Sequence, residues 1–135
     1  MAEKPESKDI RLLQFMICEK FHQEKQDSYV ASQVRSNLYV SAFPHYFAEL
    51  YVVTWWRKDE RFHKEVIEYS TDYGKTVRSP HMDIEPLRDS VLFRWHTHHF
   101  PTHFPIEKPT TLHVKVILDW EVRFESDLLI EQKSG

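Results

Sequence analysis

The chain has 135 residues, a formal net charge of −3, a hydrophobic fraction of 41% and one cysteine, Cys18. That size and apolar content suit a single domain with its own core and no disulfide staples, and a lone thiol fits a reducing compartment. The mild negative charge gives no support to nucleic-acid binding through a basic stripe, and no apolar run approaches the ~20 residues of a membrane-spanning helix.

Met1 to Asp9 is polar and charged, with no apolar stretch of the kind a secretory signal carries. It is expected to be a flexible segment over 1–9, and the protein is expected in the cytoplasm, without a membrane or nucleic-acid partner. Leu12 to Cys18 is apolar on both faces, as in a central strand covered on both sides. Val30, Val34, Leu38 and Val40 suit a strand, although Val30, Val34 and Leu38 also match a helix at i, i+4 and i+8. Glu49 to Trp56 is rich in Tyr, Val, Thr and Trp and predicts a strand. Phe62, Val66 and Tyr69 have helical spacing, while Val66 to Tyr69 also reads as a strand.

Thr71 to Lys75 holds Gly74 and predicts a turn. His81 to Asp89 reads as a connection whose carboxylates Asp83, Glu85 and Asp89 lack the ordered spacing of a calcium loop. Val91 to His99 alternates as a strand, and Pro101, Pro105 and Pro109 make the next segment a loop. Thr111 to Leu118 alternates cleanly, Asp119-Trp120-Glu121 turns, and Val122 to Ile130 returns as a C-terminal hairpin.

The fold expected is therefore all-β, an antiparallel β-sandwich of about seven strands over residues 10–131, with a short tail over 132–135. The alternative is an α+β fold with one helix within residues 28–70. Two glycines in the whole chain count against many tight glycine hairpins, so the turns must rely on Asp, Asn, Ser and Pro.

Several pieces fall in a suggestive order. Leu13-Gln14-Phe15-Met16-Ile17-Cys18 leads through a serine-alternating strand to Ala42-Phe43-Pro44. Leu50-Tyr51-Val52-Val53, Val66 to Lys75 with its Gly74 turn, and a closing hairpin that ends at Leu128-Leu129-Ile130 follow. Over roughly residues 11–131 this order resembles a family of small bacterial β-sandwich domains of unknown function. The resemblance implies a fold and no activity.

Nine histidines are the unusual feature; protonating all of them would move the formal charge from −3 to +6. His96 and His98 lie two apart on a strand and share a face. If the strands flanking the proline-rich loop pair as a hairpin, His96 comes beside His113, and His96, His98 and His113 converge as ligands for zinc or another divalent transition metal. The same pairing brings Arg94 beside Lys115, which disfavours a bound dication, so a solvated polar face is the competing reading. Trp95-His96-Thr97-His98 also resembles the His-x-His element of zinc-dependent deubiquitinase-like peptidases. The serine those enzymes need is missing between His98 and Ser126. Cys18, among Phe15, Met16 and Ile17, reads as a core residue rather than a nucleophile.

Adjacent Trp55 and Trp56 must face opposite sides of a strand, one inward and one outward. Trp56, Tyr46, Phe47, Phe100 and Phe104 are the candidate interface aromatics. The expected function is a non-catalytic domain for protein–protein interaction or self-association, with no cofactor. The alternative is a metal-binding protein or metal-dependent enzyme using the histidine cluster on an outer strand face.

Overall fold

Period-two alternation makes strands wherever one face must be dry, and it does so along nearly the whole chain. The structure is a computed structural model that describes residues 9–26, 28–88 and 91–133. Residues 1–8 of the expected flexible segment, Asp89 of the acidic connection and residues 134–135 of the tail lie outside the described residues. The strands are β1 (Arg11–Lys25), β2 (Ser28–Val34), β3 (Asn37–Val40), β4 (Tyr51–Arg57), β5 (His63–Thr71), β6 (Thr76–Arg78), β7 (Met82–Ile84), β8 (Phe93–His99), β9 (Thr110–Leu118) and β10 (Glu121–Gln132). No helix occurs among the described residues, so the helix considered within 28–70 is replaced by β2 to β5.

The strands form two mostly antiparallel sheets packed face to face. One has the order β2-β1-β4-β8; the other runs β3-β10-β9-β5-β6, with β7 also paired to β5. Among the described residues the count is ten strands rather than about seven, because β3, β6 and β7 are short edge pieces of three or four residues.

The C-terminal hairpin forms as the sequence predicts. Leu112, Val114, Val116 and Leu118 of β9 are buried, and Leu128 and Ile130 of β10 join them. Asp119 and Trp120 take positive φ of 51° and 70°, the twist a two-residue hairpin turn requires. Without a glycine, Asp119 is held in place by its own side chain: Oδ1 accepts Lys64 N–H and Oδ2 bonds His63.

The expected hairpin across the proline-rich loop does not form. β8 pairs with β4, with His96 opposite Thr54 and His98 opposite Val52. β9 pairs with β5 and β10 in the other sheet. The loop crosses between sheets because Phe100, Phe104 and Ile106 bury their side chains completely or nearly so at the end of the core. His45 and Ile106 exchange backbone hydrogen bonds that fix it there.

Candidate functional site

The inner faces of the two sheets are largely apolar, with the buried polar side chains of Thr54, His63, Glu65, Thr71, His96 and His98 set among them. On β5, Glu65, Ile67 and Tyr69 point inward together, and Glu65 is 0% exposed. β4 and β8 of the opposite sheet supply what a buried carboxylate needs. Oε1 of Glu65 meets His96 Nδ1 at 2.5 Å, His98 Nε2 at 2.9 Å and the Thr54 hydroxyl at 3.1 Å. Oε2 accepts the Trp56 indole N–H at 2.8 Å. His96 is 3% and His98 1% exposed. Burial alone would raise the Glu65 carboxyl, but hydrogen bonds from His96 and His98 outweigh it and hold the pKa at about 2.

The far side of each ring differs. His96 Nε2 lies 3.2 Å from the Asp83 carbonyl on β7. The carbonyl only accepts, so Nε2 carries a proton there. His98 Nδ1 is buried with no partner, and so is the Tyr69 hydroxyl. Burial and then the Glu65 charge push the Tyr69 phenol pKa upward.

These positions redistribute the residues expected at a site. His96 and His98 do share a face, but it is the inner face, and their third partner is Glu65. His113 is elsewhere: on the outer face of the other sheet, between Asp127 at 2.8 Å from Nδ1 and Asp72 at 2.8 Å from Nε2. The three histidines do not converge, because β8 and β9 belong to different sheets. Glu65 was missed, although a signal for it was present. It stands two and four residues before the inward Ile67 and Tyr69, so a strand reading of that segment puts a carboxylate in the core phase.

A second buried histidine network closes the end of the sandwich. His63 lies between Asp59 at 2.8 Å from Nε2 and Asp119 at 2.5 Å from Nδ1. Asp59 also accepts the backbone N–H groups of Ile10 and Arg61. Burial would raise both carboxyls, yet the net shift of each is downward: the Arg61 backbone N–H and then His63 lower Asp59, and His63 leads for Asp119.

The expected interface aromatics also change places. Trp56 and Phe100 are 0% and Phe104 2% exposed, so these three are core residues. Tyr46 is exposed and Phe47 half-buried; both line a cleft with Arg35 and Tyr39. The outward partner of the tryptophan pair is Trp55. On the outer face of the four-stranded sheet it stacks on Trp95 and touches Phe93, and the β1–β2 hairpin adds Phe21 and Tyr29 against Trp95. This aromatic strip ends at β8, an edge strand. Lys58 N bonds Leu92 O and Phe100 N bonds Leu50 O. Antiparallel alternation then directs the backbone groups of Arg94, His96 and His98 toward β4. Those of Phe93, Trp95, Thr97 and His99 point away from the sheet, and among the described residues no strand pairs with that side.

No described helix is long and apolar enough to cross a membrane. No protein-family model matches the chain, and a search of curated proteins finds no match.

Proposed function

We propose that this protein is a non-catalytic interaction domain that self-associates through the free edge of β8. The observation that supports the reading is the character of that edge. Edge strands of monomeric proteins are blunted by shortness, bulges, prolines or outward charges. β3, β6 and β7 have three or four residues each, and β2 carries Gln33 at φ 57° at one end and a register shift against β1 at the other. β8 has seven residues, pairs with β4 without a bulge, and contains no proline.

Its outward positions, Phe93, Trp95, Thr97 and His99, carry no permanent charge to repel a like strand. A second copy of β8, related by a two-fold axis, presents the same uncharged groups in antiparallel order and is self-complementary. The aromatic strip then continues across the junction, which supplies apolar area beside the backbone bonds.

Analytical ultracentrifugation of untagged protein over a wide concentration range tests this. The wild type is expected to dimerise. Thr97→Pro removes an outward N–H while leaving the β4–β8 ladder its donors, and is expected to be monomeric with an unchanged far-UV spectrum. A wild type that stays monomeric at every concentration, or a Thr97→Pro protein that still dimerises, overturns the proposal. A heterologous strand partner would show as a monomer that gains mass only in a mixture.

A further inference from the structure

The geometry points to a second property inside the sandwich: we propose that Glu65, His96 and His98 form a binding site for a divalent transition metal, zinc before others. Glu65 Oε1, His96 Nδ1 and His98 Nε2 converge, with ligand atoms all within 4.8 Å of one another. Two imidazoles and a carboxylate are a donor set that suits zinc. Tetrahedral zinc with bonds near 2.0–2.2 Å spaces its ligand atoms by about 3.3 Å. The separations of 2.5 and 2.9 Å from Oε1 to the two rings differ from that by less than an ångström. Small ring and carboxylate rotations make room, and the rings stand at 89° to each other, converging rather than stacked.

The surroundings support those three atoms as ligands. A metal-bound histidine characteristically donates its other ring N–H to a carbonyl or carboxylate, and His96 Nε2 faces the Asp83 carbonyl. The Trp56 N–H occupies Oε2, which leaves Oε1 as a single directed ligand. The Thr54 hydroxyl beside Oε1 is an oxygen within reach of a fourth position. His98 differs: with Nε2 bare for an ion, its proton sits on Nδ1, which is buried and meets no acceptor, so the support on the far side of the ring comes from His96 alone.

Arg94, which shares a side of β8 with His96 and His98, is exposed at the strand's start, opposite Trp56. The ion would replace the protons that now bridge Glu65 to the two rings. All three side chains are closed off from solvent, so loading accompanies folding or opening of the β7–β8 flank.

The test uses untagged full-length protein, stripped with chelator under denaturing conditions and refolded with zinc chloride or without metal. One zinc per chain is expected after removal of free ion. Ring-nitrogen NMR of the wild type should show His96 Nδ1 and His98 Nε2 shifted by zinc while the His113 nitrogens stay put. His113→Asn should retain the ion. Glu65→Gln should weaken binding by more than the roughly 10–100-fold that loss of a supporting hydrogen bond costs. The wild-type NMR result stands even if Glu65→Gln fails to fold. Substoichiometric zinc, zinc whose shifts fall on exposed His22, His81 or His113, or a refolded protein with unaltered His96 and His98 resonances overturns the site. The cluster would then be a hydrogen-bonded core network. Neither result bears on the β8 edge, which carries none of the three ligand side chains on its outward positions.

Discussion

Trp55 and Trp95 stack with ring centroids 4.9 Å apart and planes 8° from parallel, directly across the β4–β8 pair. Their strand neighbours Trp56 and His96 point the opposite way, toward Glu65. The β4–β8 pair therefore does two jobs, one per face. The stack also gives the interaction face an optical signature: two parallel indoles couple their transitions. An exciton couplet in the far-UV circular dichroism near the indole band is expected for the wild type and absent in Trp95→Ala. That substitution removes a half-buried ring, so a loss of about 1–3 kcal/mol is expected in urea unfolding, below the usual range for a fully buried aromatic. A couplet that survives Trp95→Ala would place its source elsewhere.

Glu65 makes the fold acid-sensitive in a defined window. Its carboxyl is held at about 2 in the folded protein, against about 4.3 when unfolded. A depressed carboxylate contributes stability that is fully present above the unfolded value and is lost as pH falls through the folded one. The loss is expected between pH ~4.5 and ~2, with a magnitude of roughly 3 kcal/mol. Glu65→Gln keeps the shape and removes the charge that His96 and His98 face, so it is expected to be destabilised by about 3 kcal/mol near neutral pH. Its stability should also fall less steeply between pH 4.5 and 2. Denaturant midpoints of both proteins across pH 2–7 check both statements.

The hairpin of β9 and β10 was legible because one buried face and one wet face force a period of two, and because Asp119 can hold a positive φ that glycine would otherwise take. Leu12 to Cys18 was legible as a strand but not as a central one covered on both sides: β2 pairs with β1 only from Cys18 onward, and Leu12, Leu13, Phe15 and Met16 are half-buried. Pairing was not legible. Neighbours in sequence often pair, but Phe100, Phe104 and Ile106 pull the proline-rich loop into the core and send β9 to the opposite sheet. That error misplaced His113 and hid Glu65, because a site between sheets depends on contacts some thirty residues apart. Trp56 and Trp55 had to diverge, but the strand pattern alone does not say which enters the core. The answer rests on Glu65 accepting the Trp56 N–H.

His63 ties the β4–β5 connection to the β9–β10 turn through Asp59 and Asp119. Both ring nitrogens meet carboxylates, so the ring bridges the two acids. His63→Ala leaves Asp59, only 3% exposed, without that partner. Breaking a buried pair commonly costs about 3–5 kcal/mol; the retained bonds from Ile10 and Arg61 put the expected loss at the lower end, about 3 kcal/mol. Hydrogen exchange at Lys64, whose N–H depends on Asp119 Oδ1, should accelerate more than exchange in mid-β9. Uniform acceleration would mean global destabilisation rather than release of this turn.

His113 gives a prediction with the opposite pH sign. Hydrogen bonds to Asp72 and then Asp127 raise its pKa above the ordinary 6.5, against the weaker opposing effect of burial. A raised histidine contributes stability that is complete below its unfolded pKa and is lost as pH rises through the folded value. Asp72 is lowered, chiefly by the same His113 bond, so its share is lost in the other direction, as pH falls through its folded value. The bridge is therefore expected to be complete between the ordinary Asp value of 3.8 and the ordinary His value of 6.5, and to be lost beyond them on either side. An NMR titration should show His113 titrating above 6.5 and moving down toward that value in Asp72→Asn. The shift should shrink in high salt, since the pair is open to solvent. A His113 titration that ignores both Asp72→Asn and salt would contradict the bridge.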